Sequence, residues 1–309
     1  MNDVLLRDLA EIFHLIPRSI TPVTGGWMNR KWKITADGGD FLVKQYSLQR
    51  FGERQLQQID QALRRQMRLH AAGIPCPRIL LCGDCVLRWA DAETVYMVME
   101  FFPGGSVTPE TVTLRQMHSL GDTLGHIHRE FAHIPPDGVK GYPMDGAAGI
   151  DALRSHSRTS SFAAAMIQPI LEKLPPPLFS VLPRGIAHED FTPDNILFND
   201  AGVAAVLDFD RNQYSFLHHD IGRALLSLAW RDGAFDSRMA DALCRGYAAH
   251  LPLTEADLAD ALRITWCIEA PWWIREDIRT GGSPKVRRFL DEILWVGENW
   301  DALDALVRQ

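Results

Sequence analysis

Apolar residues recur along this chain with two different periods, and the change from one to the other near residue 103 divides it. Val4, Leu5, Leu9, Ile12, Phe13 and Ile16 fall at helical spacing, which predicts a helix over residues 1–16. A period of two follows. Ile20–Val23, then Lys31–Thr35 with Trp32 and Ile34 on one face, then Phe41–Tyr46 after the Asp37-Gly38-Gly39 turn, read as three strands. Residues 53–72 return to helical spacing and stop at Gly73-Ile74-Pro75-Cys76-Pro77, where the prolines forbid continuation. Two further strands, near 78–88 and 94–101, would complete a five-stranded antiparallel sheet with one helix. The run Glu100-Phe101-Phe102-Pro103-Gly104-Gly105 then ends the alternation. Beyond it helices are expected at 109–131, 161–174, 219–231, 236–250, 254–280 and 284–307. The exception is 186–210, where Ile196–Phe198 and Val203–Leu207 flank Asn199-Asp200-Ala201-Gly202 as a short hairpin. The domains predicted are 1–102 and 103–309.

Composition narrows the class. With 309 residues, 46% of them hydrophobic, the chain is long enough for two lobes with separate cores. Lys+Arg number 32 against Asp+Glu 39, a net charge of −7, which argues against a nucleic-acid partner needing a basic face. The start, Met1-Asn2-Asp3-Val4-Leu5-Leu6-Arg7-Asp8, interleaves charge with apolar residues, unlike a signal peptide. No apolar run reaches the roughly 18 residues of a membrane span, so no membrane partner is expected. Five scattered cysteines (76, 82, 85, 244, 267) suit a reducing cytoplasm better than a disulfide framework. Cys82-Gly83-Asp84-Cys85 has no second pair to complete a metal site, and reads instead as two cysteines flanking a turn.

Candidate chemistry lies in the exceptional stretch. His188-Glu189-Asp190-Phe191-Thr192-Pro193-Asp194-Asn195 is followed, after the hairpin, by Asp208-Phe209-Asp210. Phosphoryl transfer needs a carboxylate to orient an attacking hydroxyl and oxygen ligands for magnesium beside the phosphates. Asp190 suits the first role; Asn195 and Asp208 suit the second. His188 is placed to brace the loop by hydrogen bonding.

This motif, in a small β-rich lobe followed by a large helical one, resembles the protein-kinase fold. More closely the chain resembles the aminoglycoside phosphotransferase superfamily, which includes choline, thiamine and type II homoserine kinases. "HEDFTPDNILF", "AVLDFDRN" and "LAWRDGAFD" look most like the homoserine kinases. The resemblance implies an α+β, two-lobed fold: a nucleotide-binding N-lobe with a small antiparallel sheet, and a larger, mainly helical C-lobe for catalysis and substrate. It implies ATP and Mg2+ as cofactors and a small, amine-bearing alcohol as acceptor. On it, Lys44 would reach the α- and β-phosphates and Leu42, on the same strand face, the adenine. Gly25, Gly26 and Asn29 would form the turn over the phosphates, with Glu100 and Phe102 as further cofactor contacts. A Glu in the 53–72 helix should pair with Lys44. Glu53 is the only one there, and Asp60 is the shorter alternative. Asp220 corresponds to the family's structural Asp, though a helix N-cap accounts for it equally.

Only about ten residues separate Asp210 from Asp220, too few for an activation segment, so a protein substrate is not expected. Substrate choice is assigned to the C-terminal helices. Trp266, Glu269, Trp273 and Glu276 or Asp277 would share one face of a helix kinked at Pro271. Glu269 and Trp273 are the substrate contacts, a carboxylate and an indole suited to an amine. Arg275 or Arg223 could meet a substrate carboxylate. The weak partner for Lys44 is the one feature that would suit a nucleotide-binding protein without catalysis.

Overall fold

The computed structural model describes residues 1–23, 29–136, 139–141, 146–174 and 178–308. The chain forms two compact units: Met1–Gly104 with Ala205–Arg211, and Gly105–Ala204 with Asn212–Gln309.

The first unit is a sheet with a helix on each face. It begins with α1 (Asp3–Ile12), β1 (Ser19–Pro22), β2 (Arg30–Ala36), β3 (Gly39–Tyr46) and α2 (Glu53–Ala71). Short strands β4 (Ile79–Leu80) and β5 (Arg88–Trp89) precede β6 (Val95–Glu100). The antiparallel order is β1-β2-β3-β6-β4, with β5 also on β6. Strand alternation sends Phe41 and Val43 of β3 into a core with Leu5 and Leu9 of α1, and Leu42 and Tyr46 into a second core with Leu56, Ile59 and Leu63 of α2. Two helix-covered faces explain why most of β3 is buried on both sides.

Three expectations for this unit need correction. The sheet has six strands, because the 78–88 run breaks into β4 and β5 around the Cys82–Cys85 turn, where the two backbones bridge and Gly83 takes φ +58°. The first helix ends at Ile12 rather than residue 16. His14 at φ +54° turns the chain so that Leu15 is buried and Ile16 exposed. A second helix therefore covers the sheet, where one was expected.

The second unit is mainly helical: α3 (Leu114–Ala132), α4 (Gly146–Ser157), α5 (Ser161–Lys173) and α6 (Leu178–Val181) lead to strand β7 (Arg184–Ala187). A 3-10 turn at Pro193–Asn195 opens the hairpin β8 (Ile196–Asn199) and β9 (Gly202–Val206), before β10 (Gln213–Phe216) and α7 (Leu217–Leu228). The chain closes with β11 (Trp230–Arg231), β12 (Ala234–Phe235), α8 (Ser237–Ala248), α9 (Glu255–Trp273), α10 (Glu276–Gly281), α11 (Pro284–Glu298) and α12 (Leu303–Leu306). β7 and β10 pair antiparallel, Gln213 opposite Ala187. Neither strand was expected.

The helix expected over 254–280 is two helices. Pro271 removes one ladder bond near the end of α9, Arg275 is extended, and α10 starts afresh at Glu276. Glu276 and Asp277 thus leave the face shared by Glu269 and Trp273, and pair locally with Arg279 and Arg275. Likewise 284–307 divides into α11 and α12.

Glycines let these helices approach at backbone distance. A Cβ on Gly121 would lie 2.0 Å from the Leu243 carbonyl oxygen, and one on Gly246 would lie 2.0 Å from that of His118, so α3 and α8 press together along both glycines. α7 meets α9 the same way, Gly222 against Ala261. Gly121→Ala should cost about 1–3 kcal/mol, the range for overpacking a rigid contact, read as a lower denaturation midpoint. Gly141→Ala, which meets nothing within 4 Å, is the control.

Candidate active site

In the first unit the sheet presents two lysines side by side. Lys31 of β2 stands opposite Lys44 of β3 in the antiparallel register, and like charges so placed repel unless a counter-charge is shared. Asp208 is that counter-charge: its Oδ1 accepts from Lys44 Nζ at 2.6 Å and its Oδ2 from Lys31 Nζ at 3.1 Å. Lys44 Nζ also donates to Asp210 Oδ2 at 2.6 Å, and the Tyr46 hydroxyl donates to Asp210 Oδ1 at 3.3 Å.

Burial sets how these groups titrate. It would raise the Asp208 carboxyl, but Lys44 and Lys31 outweigh it and hold Asp208 below the usual carboxylate range. Burial would lower the Lys44 ammonium, and the two aspartates reverse that. For Asp210, burial dominates and, with Asp208 alongside, lifts the carboxyl despite Lys44 and Tyr46. Asp208 is held at φ +61°, a costly backbone for a non-glycine residue.

The Lys44–Glu53 pair is therefore corrected. Glu53 opens α2, is exposed, and accepts from Gln57 Nε2 at 3.4 Å, while the carboxylates on Lys44 come from 164 and 166 residues further along the chain. Asp60 pairs with Arg64. Leu42 is buried in the α2-side core. Asn29 precedes β2, with its Oδ1 buried and without a hydrogen-bond partner among the described residues. Gly25 and Gly26 lie outside the described residues. Glu100 and Phe102 line a cavity of about 260 Å³ with Gly38, Arg78 and Phe101; Lys44 is not among its walls.

In the second unit β7 delivers the chain into His188–Asn195, and α7 receives it through Asp220. This carboxylate is fully buried. It accepts from the backbone N–H groups of His188 (2.6 Å) and Glu189 (2.9 Å) and lies 3.0 Å from His128 Nε2, whose Nδ1 meets the Tyr247 hydroxyl at 2.9 Å. The helix cap is Phe216, so Asp220 is a brace for the loop rather than an N-cap. Inside the loop the Asp190 N–H donates to His188 Nδ1 at 3.3 Å, and Asn195 Nδ2 donates to the Asp190 carbonyl at 2.9 Å. That second bond leaves Asn195 Oδ1 as the remaining acceptor. Asp194 faces outward and pairs with Lys285.

Glu269 and Trp273 meet each other, but not as a free anion beside an indole. Glu269 Oε2 accepts from Trp273 Nε1 (2.8 Å) and Arg223 Nη1 (2.7 Å), and Oε1 lies 3.0 Å from His219 Nε2. Trp273 also stacks on Phe289 at 4.7 Å. Burial would raise the Glu269 carboxyl; Arg223 and His219 hold it down at about 2. Of the arginines considered for a substrate carboxylate, Arg223 is buried between Glu269 and Glu292, and Arg275 pairs with Asp277. Trp266 is core, edge-on to Trp300. Sequence reasoning missed Lys31, Glu189 and His219. Lys31 alone had a legible signal, its place across the hairpin from Lys44.

The fold is the α+β, two-lobed fold of the protein-kinase-like phosphotransferases, and the buried lysine–aspartate cluster and braced Asp–Asn loop lie within it. Residues 19–258 match the family model described as the phosphotransferase enzyme family, and the chain belongs to that family. Among its curated relatives are the homoserine kinases of Granulibacter bethesdensis (27% identical, covering 77% of this chain and 73% of that one) and Gluconacetobacter diazotrophicus (28% identical, covering 76% and 73%). A solved structure of similar fold is the amicoumacin kinase hAmiN in complex with AMP-PNP, Ca2+ and Ami. Its TM-score is 0.70 at 17% identity, covering 96% of this chain and 93% of that one. The protein is a small-molecule phosphotransferase with an alcohol group as acceptor. Among the described residues no helix is long and apolar enough to cross a membrane.

Removing Asp220 would orphan two buried N–H groups and leave His128 without its carboxylate. Asp220→Ala should cost on the order of 3 kcal/mol, read as a lower denaturant midpoint with an unchanged slope. A loss below about 1 kcal/mol would mean that the loop is held by other contacts.

Proposed function

We propose that the protein transfers the γ-phosphoryl group of ATP, with Mg2+, to the hydroxyl of a small amine-bearing metabolite, homoserine foremost. The observation that carries the reaction is the Asp190 loop, tied at its head by Asp220 and internally by Asn195. The acceptor rests on the curated homoserine kinases, which this chain matches over about three quarters of its length.

The donor set suits magnesium. Asp208 is a carboxylate kept ionised by two lysines, and Asn195 has a carbonyl oxygen to spare. Both are hard oxygen donors of the kind Mg2+ prefers, with waters and phosphates filling the other positions. Mg2+, when bound, supplies charge neutralisation at the phosphates. Lys44 and Lys31 carry two positive charges at the same face and would bind the triphosphate, Lys44 held rigid by burial. Asp190 would accept a hydrogen bond from the acceptor hydroxyl and aim its oxygen at the γ-phosphorus. As the new O–P bond forms and the bond to the ADP oxygen breaks, the hydroxyl proton passes to Asp190. A loose transition state asks little basicity of that carboxylate, so orientation is its larger contribution.

Asp190→Ala should lower kcat by roughly 10²–10⁴-fold, with nucleotide affinity little changed. Lys44→Met should lower turnover by roughly 10²-fold or more. An ADP-release screen with Mg-ATP over homoserine, choline, thiamine and aminoglycosides tests the acceptor. Homoserine giving no signal while another alcohol does would replace the acceptor. Full activity in Asp190→Ala would remove the mechanism.

A further inference from the structure

Glu189, next to Asp190, carries a conflict. Its backbone sits at φ +66°, a region where glycine is the easy choice, yet the residue is a glutamate and its side chain is buried. Gln213 Nε2 of β10 donates to its Oε2 at 2.7 Å, and His219 Nδ1 of α7 lies 3.3 Å from its Oε1. The other nitrogen of His219 meets Glu269 of α9 at 3.0 Å. Arg223, one turn further along α7, joins Glu269 to Glu292 of α11, which Arg288 also pairs. An unbroken ionic chain thus runs from the residue beside Asp190 into the helical core.

We propose that this chain positions the catalytic loop: Glu189 and His219 are positioning residues that hold Asp190 in its productive orientation, and they act through the backbone that Glu189 shares with it. The inference rests on the role proposed for Asp190. Asp220 fixes the N–H groups of His188 and Glu189 at the head of the loop. Glu189 adds a second, lateral tie, to β10 and α7, at the peptide unit entering Asp190. A glycine would meet the backbone requirement without strain, so the glutamate is there for its side chain.

The groups facing His219 are Glu189 from the loop, Glu269 from α9, and Asp220 and Arg223 from its own helix. Burial would lower the His219 imidazolium, but the two glutamates outweigh it and raise it to about 10. A raised folded value means that the tie is at full strength below the ordinary histidine value near 6.5 and is lost as pH rises through about 10. The stability difference between the parent protein and His219→Gln should therefore narrow over that window.

The deciding measurement is steady-state kinetics of Glu189→Gly with Mg-ATP and the responsive acceptor, beside Asp190→Ala. Glu189→Gly relieves the backbone but unpairs His219 and Gln213, so its melting temperature should fall while the protein stays folded, and in that folded protein kcat falls at least tenfold with both KM values within threefold. A kcat within twofold of the parent would overturn the proposal. His219→Gln, which keeps a polar group in the chain, should show the same kcat loss, and near-parental kcat there overturns it as well. In Glu189→Gln the imidazole keeps one carboxylate, so the alkaline fall in kcat should move to lower pH; an unmoved limb counts against the tie. If Asp190→Ala is itself active, the catalytic assignment fails. If Asp190→Ala is dead and Glu189→Gly is unimpaired, only the positioning role fails.

Discussion

Two backbone N–H groups at the head of the Asp190 loop are satisfied by a side chain rather than by a strand or helix ladder, and the organisation of the second unit turns on how that is done. A buried unpaired donor costs roughly 1–3 kcal/mol, so the loop cannot hold its shape there by chain geometry alone. Asp220 supplies both acceptors from the first turn of α7, where a carboxylate is also favoured by the helix dipole. That requires α7 to begin directly beneath the loop, which the β7–β10 pair arranges by feeding one chain end into the loop and the other into the helix. It also requires a neighbour for the buried charge, and His128 of α3, itself held by Tyr247 of α8, takes that position. One carboxylate thus ties the loop to α7 and α3 and, through His128, to α8.

The first unit solves a similar problem with charge. Lys44 is almost wholly buried, and an isolated ammonium there would be expelled or neutralised. Asp208 and Asp210 make its burial tolerable, and Asp208 at the same time shields it from Lys31. Tyr46, one core position along the same strand face, adds a hydroxyl to Asp210 and an aromatic face 5.4 Å from Lys44 Nζ. The segment Ala205–Arg211 belongs to this unit, and its acids meet the sheet's lysines.

Much of this was legible in the sequence where the signal is local. The alternation of Phe41–Tyr46 assigned Leu42 and Lys44 to one face correctly, and the long helices α2, α3 and α8 followed from periodicity. The small-molecule kinase class was legible from the His188–Asp210 stretch, and the homoserine-kinase resemblance from that stretch together with Leu228–Asp236. Illegible were features whose partners are far apart in the chain. Lys44 was given Glu53 because the family resemblance asks for a glutamate in the 53–72 helix, whereas its partners lie on another segment. Glu189 and His219 drew no assignment from the sequence, since each makes sense only opposite the other. The break after Pro271 was read as a kink because nothing in the sequence tells whether a helix resumes its axis beyond a proline.

The backbone contact between α3 and α8 distributes sequence freedom unevenly. Gly121 and Gly246 each meet a carbonyl oxygen, of Leu243 and His118, and a carbonyl belongs to every residue type. The glycines are therefore confined to one identity by atoms that their opposite numbers would present whatever their side chains were. A helix pair built this way leaves no trace in a hydrophobicity profile and no coupled pair of side chains to vary together. Two missing methyl groups specify its spacing.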